Sequence, residues 1–288
     1  MYIWVLLLRP APPFICQLMR LHVFYIVMVA AVLGIFVLVF GVLVSEEVLK
    51  KEQFKRTAKT TNSLNSQTGV VPIPTDTFQI KGIDVSHYQG DIPWDSLTPT
   101  IAFAICKATE GRSLMDTEFS HNWTQIKFSG RVRGAYHFYL TSDDPVTQAQ
   151  FFWKTVSTDY QRSDLPLILD IEQGSLRKKI SPEQLQTDVL SFLTTLEKLS
   201  GNIPMVYCST YFANEYLDNP KLSRYPLWLA EYTTRATPNV PKTWQQSGWR
   251  FWQKSDSYDL KQISGELDFD LFHGSKTDLQ AFTNSLSK

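Results

Sequence analysis

The sequence contains few cysteines and histidines and has no excess charge of either sign. Of its 288 residues, three are Cys and five are His, and no group of them has the spacing of a metal site, so we expect no metal and no cofactor. Cys106 and Cys208 lie inside apolar runs, which favours buried free thiols. Cys16 has no second cysteine at the spacing of a paired site. The formal net charge of +0 leaves no basic stripe, so nucleic-acid binding is not expected.

The chain is rich in apolar and aromatic residues. Hydrophobic residues make up 43% and aromatic residues 13%, with eight Trp. Such a composition fits either a large core or a sugar-binding cleft. The length allows one domain of barrel size or two small ones, and no internal repeat appears.

Residues 21–44 form an apolar segment long enough to cross a bilayer, with His22 as its one ionisable group. The polar stretch that follows, Ser45-Glu46-Glu47, is a poor signal-peptidase site, so we expect a retained transmembrane helix after a short N-terminal segment, residues 1–20. A cleaved signal peptide and a buried core helix are the alternatives. Residues 45–79, rich in Thr, Ser, Asn and Pro, are expected to be a flexible linker.

Residues 80–288 alternate between short apolar runs and helical patterns. Strands are expected at 81–86, 101–109, 132–139, 167–172 and 205–208, and helices at 116–128, 145–156, 182–199 and 211–217. Three further strands are expected at 226–231, 249–253 and 267–269, followed by a helix from Lys276. Repeated strand–helix units predict an α/β fold with a parallel sheet, open or closed.

Two acids end the most apolar of these strands. Asp170 and Glu172 flank Ile171, and side chains at i and i+2 share one face of a strand. Burying both beside aliphatic residues is costly unless they serve a function, although a structural ion pair is the alternative. Asp116 and Glu118 have the same spacing at a helix start, where they are expected to be exposed or to cap the helix.

Asp84 and Asp268 are single acids that also lie near strand ends between apolar residues. Taken alone, each is as consistent with a structural role as with catalysis. Asp270, two residues after Asp268, is a second candidate in the last strand.

Seven motifs occur in order along the chain: GIDVSHYQGDIPW (82–94), FAICKATEG (103–111), GAYHF (134–138), LDIE (169–172), LWLAEY (227–232), FWQ (251–253) and GELDFDLFHG (265–274). Together they resemble one family, the family 25 glycoside hydrolases or Chalaropsis-type lysozymes. The resemblance covers about residues 80–275 in the right order and excludes the apolar segment and the linker. It implies an irregular TIM-like barrel of five β/α units and three further strands.

The resemblance also implies hydrolysis of the β-1,4 bond between N-acetylmuramic acid and N-acetylglucosamine in peptidoglycan. Glu172 matches the proton donor, Asp170 the acid beside it, Asp84 the first acid of the cluster and Asp268 the late one, with Asp270 a less favoured choice. Four acids in one cleft cannot all ionise near neutral pH, so one keeps the proton that a general acid needs. The sequence does not choose between retaining, inverting and substrate-assisted mechanisms.

Aromatic and polar residues near these motifs are candidates for substrate binding, although core packing accounts for about half of such rings. The candidates are Tyr88, Gln89, Glu110, Tyr136, Phe138, Tyr207, Trp228, Tyr232, Trp252 and Gln253. Trp123 and Trp153 lie in helical patterns and are expected in the core. His137, flanked by aromatic residues, is expected to be a hydrogen-bonded core histidine.

A peptidoglycan hydrolase must reach its substrate, so we expect a single-pass membrane protein, a monomer, with its barrel on the extracytoplasmic side. Lys and Arg residues are more numerous after residues 21–44 than before them, and the positive-inside rule alone predicts the opposite orientation. The alternatives are a wall-binding module without activity, a membrane scaffold and a barrel hydrolase acting on chitin. The biological purpose, whether wall remodelling, defence or phage release, stays open.

Overall fold

The computed structural model describes residues 79–263 and 265–285. The expected N-terminal segment, the expected transmembrane helix at 21–44 and all but the last residue of the expected linker lie outside the described residues. Among the residues that are described, no helix is both long enough and apolar enough to cross a bilayer.

Within residues 79–263 and 265–285, nine strands form one sheet, and eight of them close into a ring. The strands are β1 (Gln79–Val85), β2 (Ile101–Glu110), β3 (Leu114–Met115), β4 (Val132–Phe138), β5 (Ile168–Asp170), β6 (Met205–Ser209), β7 (Leu227–Ala230), β8 (Phe251–Ser255) and β9 (Asp268–His273). Their order is β1-β9-β8-β7-β6-β5-β4-β2-β3, and pairing of β1 with β2 closes the barrel. All pairings in the ring are parallel except those of β9, which runs antiparallel to β1 and β8. The expected α/β barrel is confirmed.

Five α-helices accompany the strands: α1 (Phe119–Phe128), α2 (Pro145–Val156), α3 (Pro182–Ser200), α4 (Thr210–Tyr216) and α5 (Lys276–Ser285). Capping fixes several helix starts. The Ser181 side chain accepts a hydrogen bond from the Gln184 N–H, Asp144 accepts one from the Thr147 N–H, and each is followed by a proline in the first turn. The connection after β1 differs from a full β/α unit, because it contains two short 3₁₀ turns, His87–Gln89 and Trp94–Ser96, where an α-helix would stand.

The strands separate two apolar clusters. One fills the barrel, with Phe103, Ile168, Trp228, Phe251 and Phe272 among its members. The other lies between the strands and the surrounding helices and includes the fully buried thiols Cys106 and Cys208, as expected. Helix α5 closes the end of the barrel where the parallel strands begin, since Leu279 and Phe282 join the interior cluster.

The opposite end of the barrel is polar. Strand alternation that places Phe103 and Ile105 inside also directs Lys107 inside, one step closer to the C-terminal end of β2. The C-terminal ends of parallel barrel strands are where active sites form. The fold therefore brings the charged residues of several strands to one mouth.

Candidate active site

Three acids lie on two neighbouring strands at this mouth. The register of β1 with β9 pairs Asp84 with Asp268 and Gly82 with Asp270, so all three carboxyls are on the interior face. Asp84 and Asp270 are buried, whereas Asp268 is partly exposed. The acids that the sequence left as alternatives, Asp268 and Asp270, are thus both present, one above the other on β9.

Asp84 belongs to a hydrogen-bond network that links four strands or loops. Gln253 Nε2 donates to Asp84 Oδ2 at 2.8 Å. The hydroxyls of Tyr207 and Tyr232 both donate to Gln253 Oε1, at 2.8 and 2.7 Å. Burial raises the pKa of Asp84 well above its usual range and repulsion from Asp270 raises it further, while the Gln253 hydrogen bond acts in the opposite direction.

Asp170 and Glu172 follow from the alternation of β5. Ile171, between them, packs in the outer core, and its N–H continues the ladder to Tyr207 O at 3.0 Å. Both carboxyls therefore face the mouth. Burial and then repulsion from Glu172 raise the pKa of Asp170 well above its usual range, and burial raises the pKa of Glu172. Asp170 Oδ1 is buried with no hydrogen-bond partner among the described residues.

The four expected acids share one electrostatic environment. Burial raises the pKa of Asp268 to about 9, and repulsion from Asp84 and Glu172 contributes to the rise. Asp84 likewise contributes to the raised pKa of Asp170. None of the four carboxyls forms an ion pair with Lys, Arg or His in the described part of the chain. Such a cluster holds protons at neutral pH, as a general acid requires.

Lys107 is a site residue that sequence reasoning missed. Its ammonium group is buried, lies 2.6 Å from Glu110 Oε2 and sits 4.9 Å from the centre of the Phe138 ring. Its charge lowers the pKa of both Asp170 and Glu172, against the larger effect of burial. The signal was available, because a lysine inside the apolar run of β2 is as unusual as Asp84 in β1.

The predicted aromatic residues divide into those at the mouth and those below or outside it. Tyr136 and Phe138 are partly exposed at the mouth. Phe138 and Glu172 both lie close to Gly174, because a Cβ atom added at Gly174 would be 3.2 Å from Phe138 Cζ and 3.2 Å from Glu172 Oε1. Tyr232 is 41% and Tyr88 81% exposed, and both follow the C-terminal ends of their strands. The side-chain oxygen of Gln89, next to Tyr88, accepts a hydrogen bond from the Ser86 N–H.

Two predicted sugar-binding tryptophans are buried elsewhere, and the structure corrects both. Trp252 is fully buried in the outer core, where its indole N–H donates to Glu231 O at 2.8 Å. Adjacent strand residues point to opposite sides, so Gln253 faces inward and Trp252 cannot. Trp228 lies inside the barrel beneath the acids and donates to Asp270 Oδ1 at 2.8 Å. Both rings support the site without an exposed face for a sugar.

Asp116 and His137 complete the comparison with the sequence. Asp116 was expected to be exposed or a cap, yet it is buried, and its Oδ2 lies 2.6 Å from His87 Nδ1. His137 is a hydrogen-bonded core histidine, as expected, with Thr109 and Gln148 as partners. Burial lowers the pKa of His137 to about 3, so the ring is neutral. Of the two expected core tryptophans, Trp123 is buried, and Trp153 is partly buried against the outer cluster.

In the described part of the chain, no group of three or more His, Cys, Asp or Glu side chains is arranged to hold a metal ion. A groove of about 600 Å³ lies at the other end of the barrel, lined by Ile101, Val132 and Leu279 among others. It is remote from the acids, and the Arg131 guanidinium beside it is engaged by backbone carbonyls. The mouth is therefore the candidate active site.

An α/β barrel whose mouth gathers two adjacent carboxyls, two more acids and several tyrosines has the features of a glycoside hydrolase. Comparison with known proteins agrees. The model of the glycosyl hydrolases family 25 matches residues 83–263. This chain belongs to that family and is a glycoside hydrolase.

Relatives and solved structures give the same result. The chain is 36% identical over 217 residues to the uncharacterized protein YegX of Escherichia coli (strain K12), covering 73% of this chain and 76% of that protein. It is 32% identical over 220 residues to lysozyme M1 of Streptomyces globisporus, covering 74% of each. The crystal structure of the bacterial lysozyme from Streptomyces coelicolor matches with a TM-score of 0.66 and 30% identity, over 72% of this chain and 97% of that one.

Proposed function

We propose that the protein is a muramidase that hydrolyses the β-1,4 bond between N-acetylmuramic acid and N-acetylglucosamine in peptidoglycan. The names of its relatives, among them a lysozyme and an N,O-diacetylmuramidase, support this substrate. The observation that carries the proposal is the placement of Asp170 and Glu172 side by side at a barrel mouth with Asp84 and Asp268. All four acids come from one chain, so a monomer contains the complete site.

Glu172 acts as the general acid. It is the more exposed of the adjacent pair and therefore within reach of a bound glycan, and burial raises its pKa, which favours the protonated form. That proton passes to the glycosidic oxygen while the bond from this oxygen to the anomeric carbon breaks. A water then adds its hydroxyl to the anomeric carbon and gives its remaining proton to a carboxylate of the mouth. Each new chain end thus receives one hydroxyl and the site regains the proton that it lost.

Asp170 acts as the ionised partner. Its Oδ1 is buried and has no donor among the described residues. Lys107 favours the charged form of this carboxyl. Positive charge develops on the sugar ring and its acetamido group as the bond breaks, and a fixed carboxylate in a dry site stabilises it. Asp84 and Asp268, held by Gln253 and the β1–β9 register, line the same mouth.

Glu172→Gln tests this assignment. The amide keeps the shape of the side chain but has no acidic proton, so clearing of cell-wall suspensions should fall by at least about 10². The matched control is Glu183→Gln, which changes an exposed acid on the first turn of α3 and should keep wild-type clearing. Equal clearing by Glu172→Gln and the control removes Glu172 from the role. Wall binding by the wild-type chain without release of muropeptides indicates a binding module.

We further propose that residues 21–44 anchor the chain in a membrane with the barrel on the extracytoplasmic side. Two observations support this: the length and apolarity of the segment, and the location of peptidoglycan outside the cytoplasm. A protease added to intact spheroplasts should digest the barrel while a cytoplasmic marker survives. Protection of the barrel until the membrane is lysed would give the orientation that the positive charges after residue 44 predict.

A further inference from the structure

Asp270 is a buried acid that the proposed mechanism does not use. Its side chain is fully buried inside the barrel, below the level of Asp268. Oδ1 accepts the indole N–H of Trp228 at 2.8 Å. No N–H or O–H group of the described residues donates to Oδ2.

The neighbour that Asp270 does have is a second acid. Asp84 lies diagonal to Asp270 across β1 and β9, and both side chains are buried inside the barrel. Gln253, the residue opposite Asp270 on β8, is the one that donates to Asp84, so the two carboxyls are neighbours. Asp84 Oδ2 already accepts from Gln253 Nε2 at 2.8 Å. Two carboxylates offer only acceptors to each other, so a hydrogen bond between them exists only when a proton lies between them.

The surroundings favour this proton. Asp170 across the mouth adds negative charge near the pair, repulsion from Asp268 on the same strand contributes to the raised pKa of Asp270, and the hydroxyls of Tyr136 and Tyr207 are neutral. Lys107, the cation of the mouth, is paired with Glu110. No Lys, Arg or His side chain forms an ion pair with either acid in the part of the chain that the structure describes.

We propose that Asp270 is a positioning residue that holds Asp84 in the mouth through one shared proton. The pair then carries a single negative charge, with Gln253 fixing one end and Trp228 the other. Loss of the shared proton would leave two buried carboxylates in contact, and their repulsion would drive Asp84 out of place. This inference deepens the proposed function and rests on it, because Asp84 belongs to the proposed catalytic mouth.

Substitution of Asp270 by Asn and by Leu distinguishes a hydrogen bond to Asp84 from a purely structural role of Asp270. In Asp270→Asn the amide oxygen can still accept from Trp228, and the amide N–H₂ can donate to Asp84 without any titratable proton. In Asp270→Leu neither bond forms. We expect Asp270→Asn to retain kcat within about threefold, and Asp270→Leu to lose about tenfold or more in kcat, the range for losing one hydrogen bond to a charged group.

The indole N–H resonance of Trp228 reads the pair without reference to activity. In the wild-type chain with labelled tryptophan, this resonance should shift with a midpoint near the pKa of Asp270, which burial raises to about 8. Trp228→Phe identifies the signal. In Asp270→Asn the step should disappear, which assigns it to Asp270. In Asp84→Asn its midpoint should move to lower pH, because Asp270 then has no second carboxylate with which to share the proton.

Three results would overturn the proposal. They are a Trp228 resonance without a step between about pH 5 and 10 in the wild-type chain, a step with the same midpoint in Asp84→Asn as in the wild-type chain, and a loss of kcat in Asp270→Asn as large as in a folded Asp270→Leu. Thermal unfolding verifies that both variants fold. If the chain cleaves no wall at all, the proposed function fails, but the Trp228 titration still reports whether the two acids share a proton.

Discussion

At the scale of single residues, Lys107 is a cation that lowers the pKa of acids in the mouth. Every other charged side chain named in the site is an acid, and burial raises the pKa of each catalytic candidate. Lys107 opposes this effect at Asp170 and Glu172. Because its own charge is neutralised mainly by Glu110 at 2.6 Å, its position is fixed by an ion pair within the same strand. A single buried cation thereby favours the ionised form of both acids of the pair, against the larger effect of burial.

Removing that charge should change the pH dependence of cleavage. In Lys107→Met the pKa of Asp170 rises, so the acid limb of kcat/KM should move to higher pH by about one unit, the lower end for losing a neighbouring opposite charge. Lys107→Arg keeps the charge and should keep the limb near its wild-type position. The measurement is the pH profile of muropeptide release.

Glu110 needs its own control in this experiment. Without Lys107 it becomes an unpaired carboxylate that also raises the pKa of Asp170. The double variant Lys107→Met with Glu110→Gln removes both charges and isolates the direct effect of the lysine. An acid limb that stays in place in Lys107→Met would show that Lys107 has only a packing role.

At the scale of secondary-structure elements, side-chain alternation explains both what the sequence predicted and what it did not. Asp170 and Glu172 were predicted to share a face, and the outward Ile171 places them there. The same rule makes Asp268 and Asp270 both interior, so a choice between them was unnecessary. It also excludes Trp252 from the mouth once Gln253 is inside. Applying the period of two consistently along β8 and β9 would have corrected these predictions.

The elements themselves were largely predictable, because capping and apolar periodicity are local signals. The predicted helix starts at Pro145 and Pro182 agree with the structure, where Asp144 and Ser181 cap them. The two 3₁₀ turns after β1 and the short strand β3 were not predicted. The two turns and β3 lie in polar connections between the predicted elements. Their conformation depends on tertiary contacts such as that of His87 with Asp116. Long-range contacts of this kind leave no periodic signal.

At the scale of the whole molecule, the two ends of the barrel differ: one end contributes to stability and the other holds the candidate active site. Helix α5 and the interior aromatic residues close one end with apolar contacts. The other end holds acids whose burial would be avoided if stability were the only requirement. The cost is expressed as a pH dependence, since a carboxyl whose pKa is raised by folding binds its proton more tightly in the folded state.

The sign of this dependence follows from proton binding. Folding raises the pKa of Asp270 to about 8 and that of Asp268 to about 9, so the folded chain holds more protons than the unfolded chain from about pH 4 upward. Their contribution is therefore greatest at low pH and is lost as the pH rises through the folded-state pKa values. His137, whose pKa burial lowers to about 3, has the opposite effect, but only below its unfolded pKa of about 6.5. Between about pH 6.5 and 9 the acids contribute throughout. Burial also raises the pKa of the Cys106 and Cys208 thiols, which act in the same direction above their unfolded pKa of about 8.5.

The midpoint of thermal unfolding, Tm, should therefore fall as the pH rises from about 6.5 to 9 at constant ionic strength. Asp268→Asn removes one of the titrating groups, so it should flatten this slope and raise Tm at pH 9 by at least about 2–4 °C, the shift that 1 kcal/mol produces in a domain of this size. Asp144→Asn is the matched control, because the pKa of Asp144 is lowered by hydrogen bonds at the start of α2, and it should leave the slope unchanged. A Tm that stays level or rises over this range would mean that the acids of the mouth are ionised and compensated in the folded protein, which contradicts the proton-holding cluster on which general-acid catalysis by Glu172 depends.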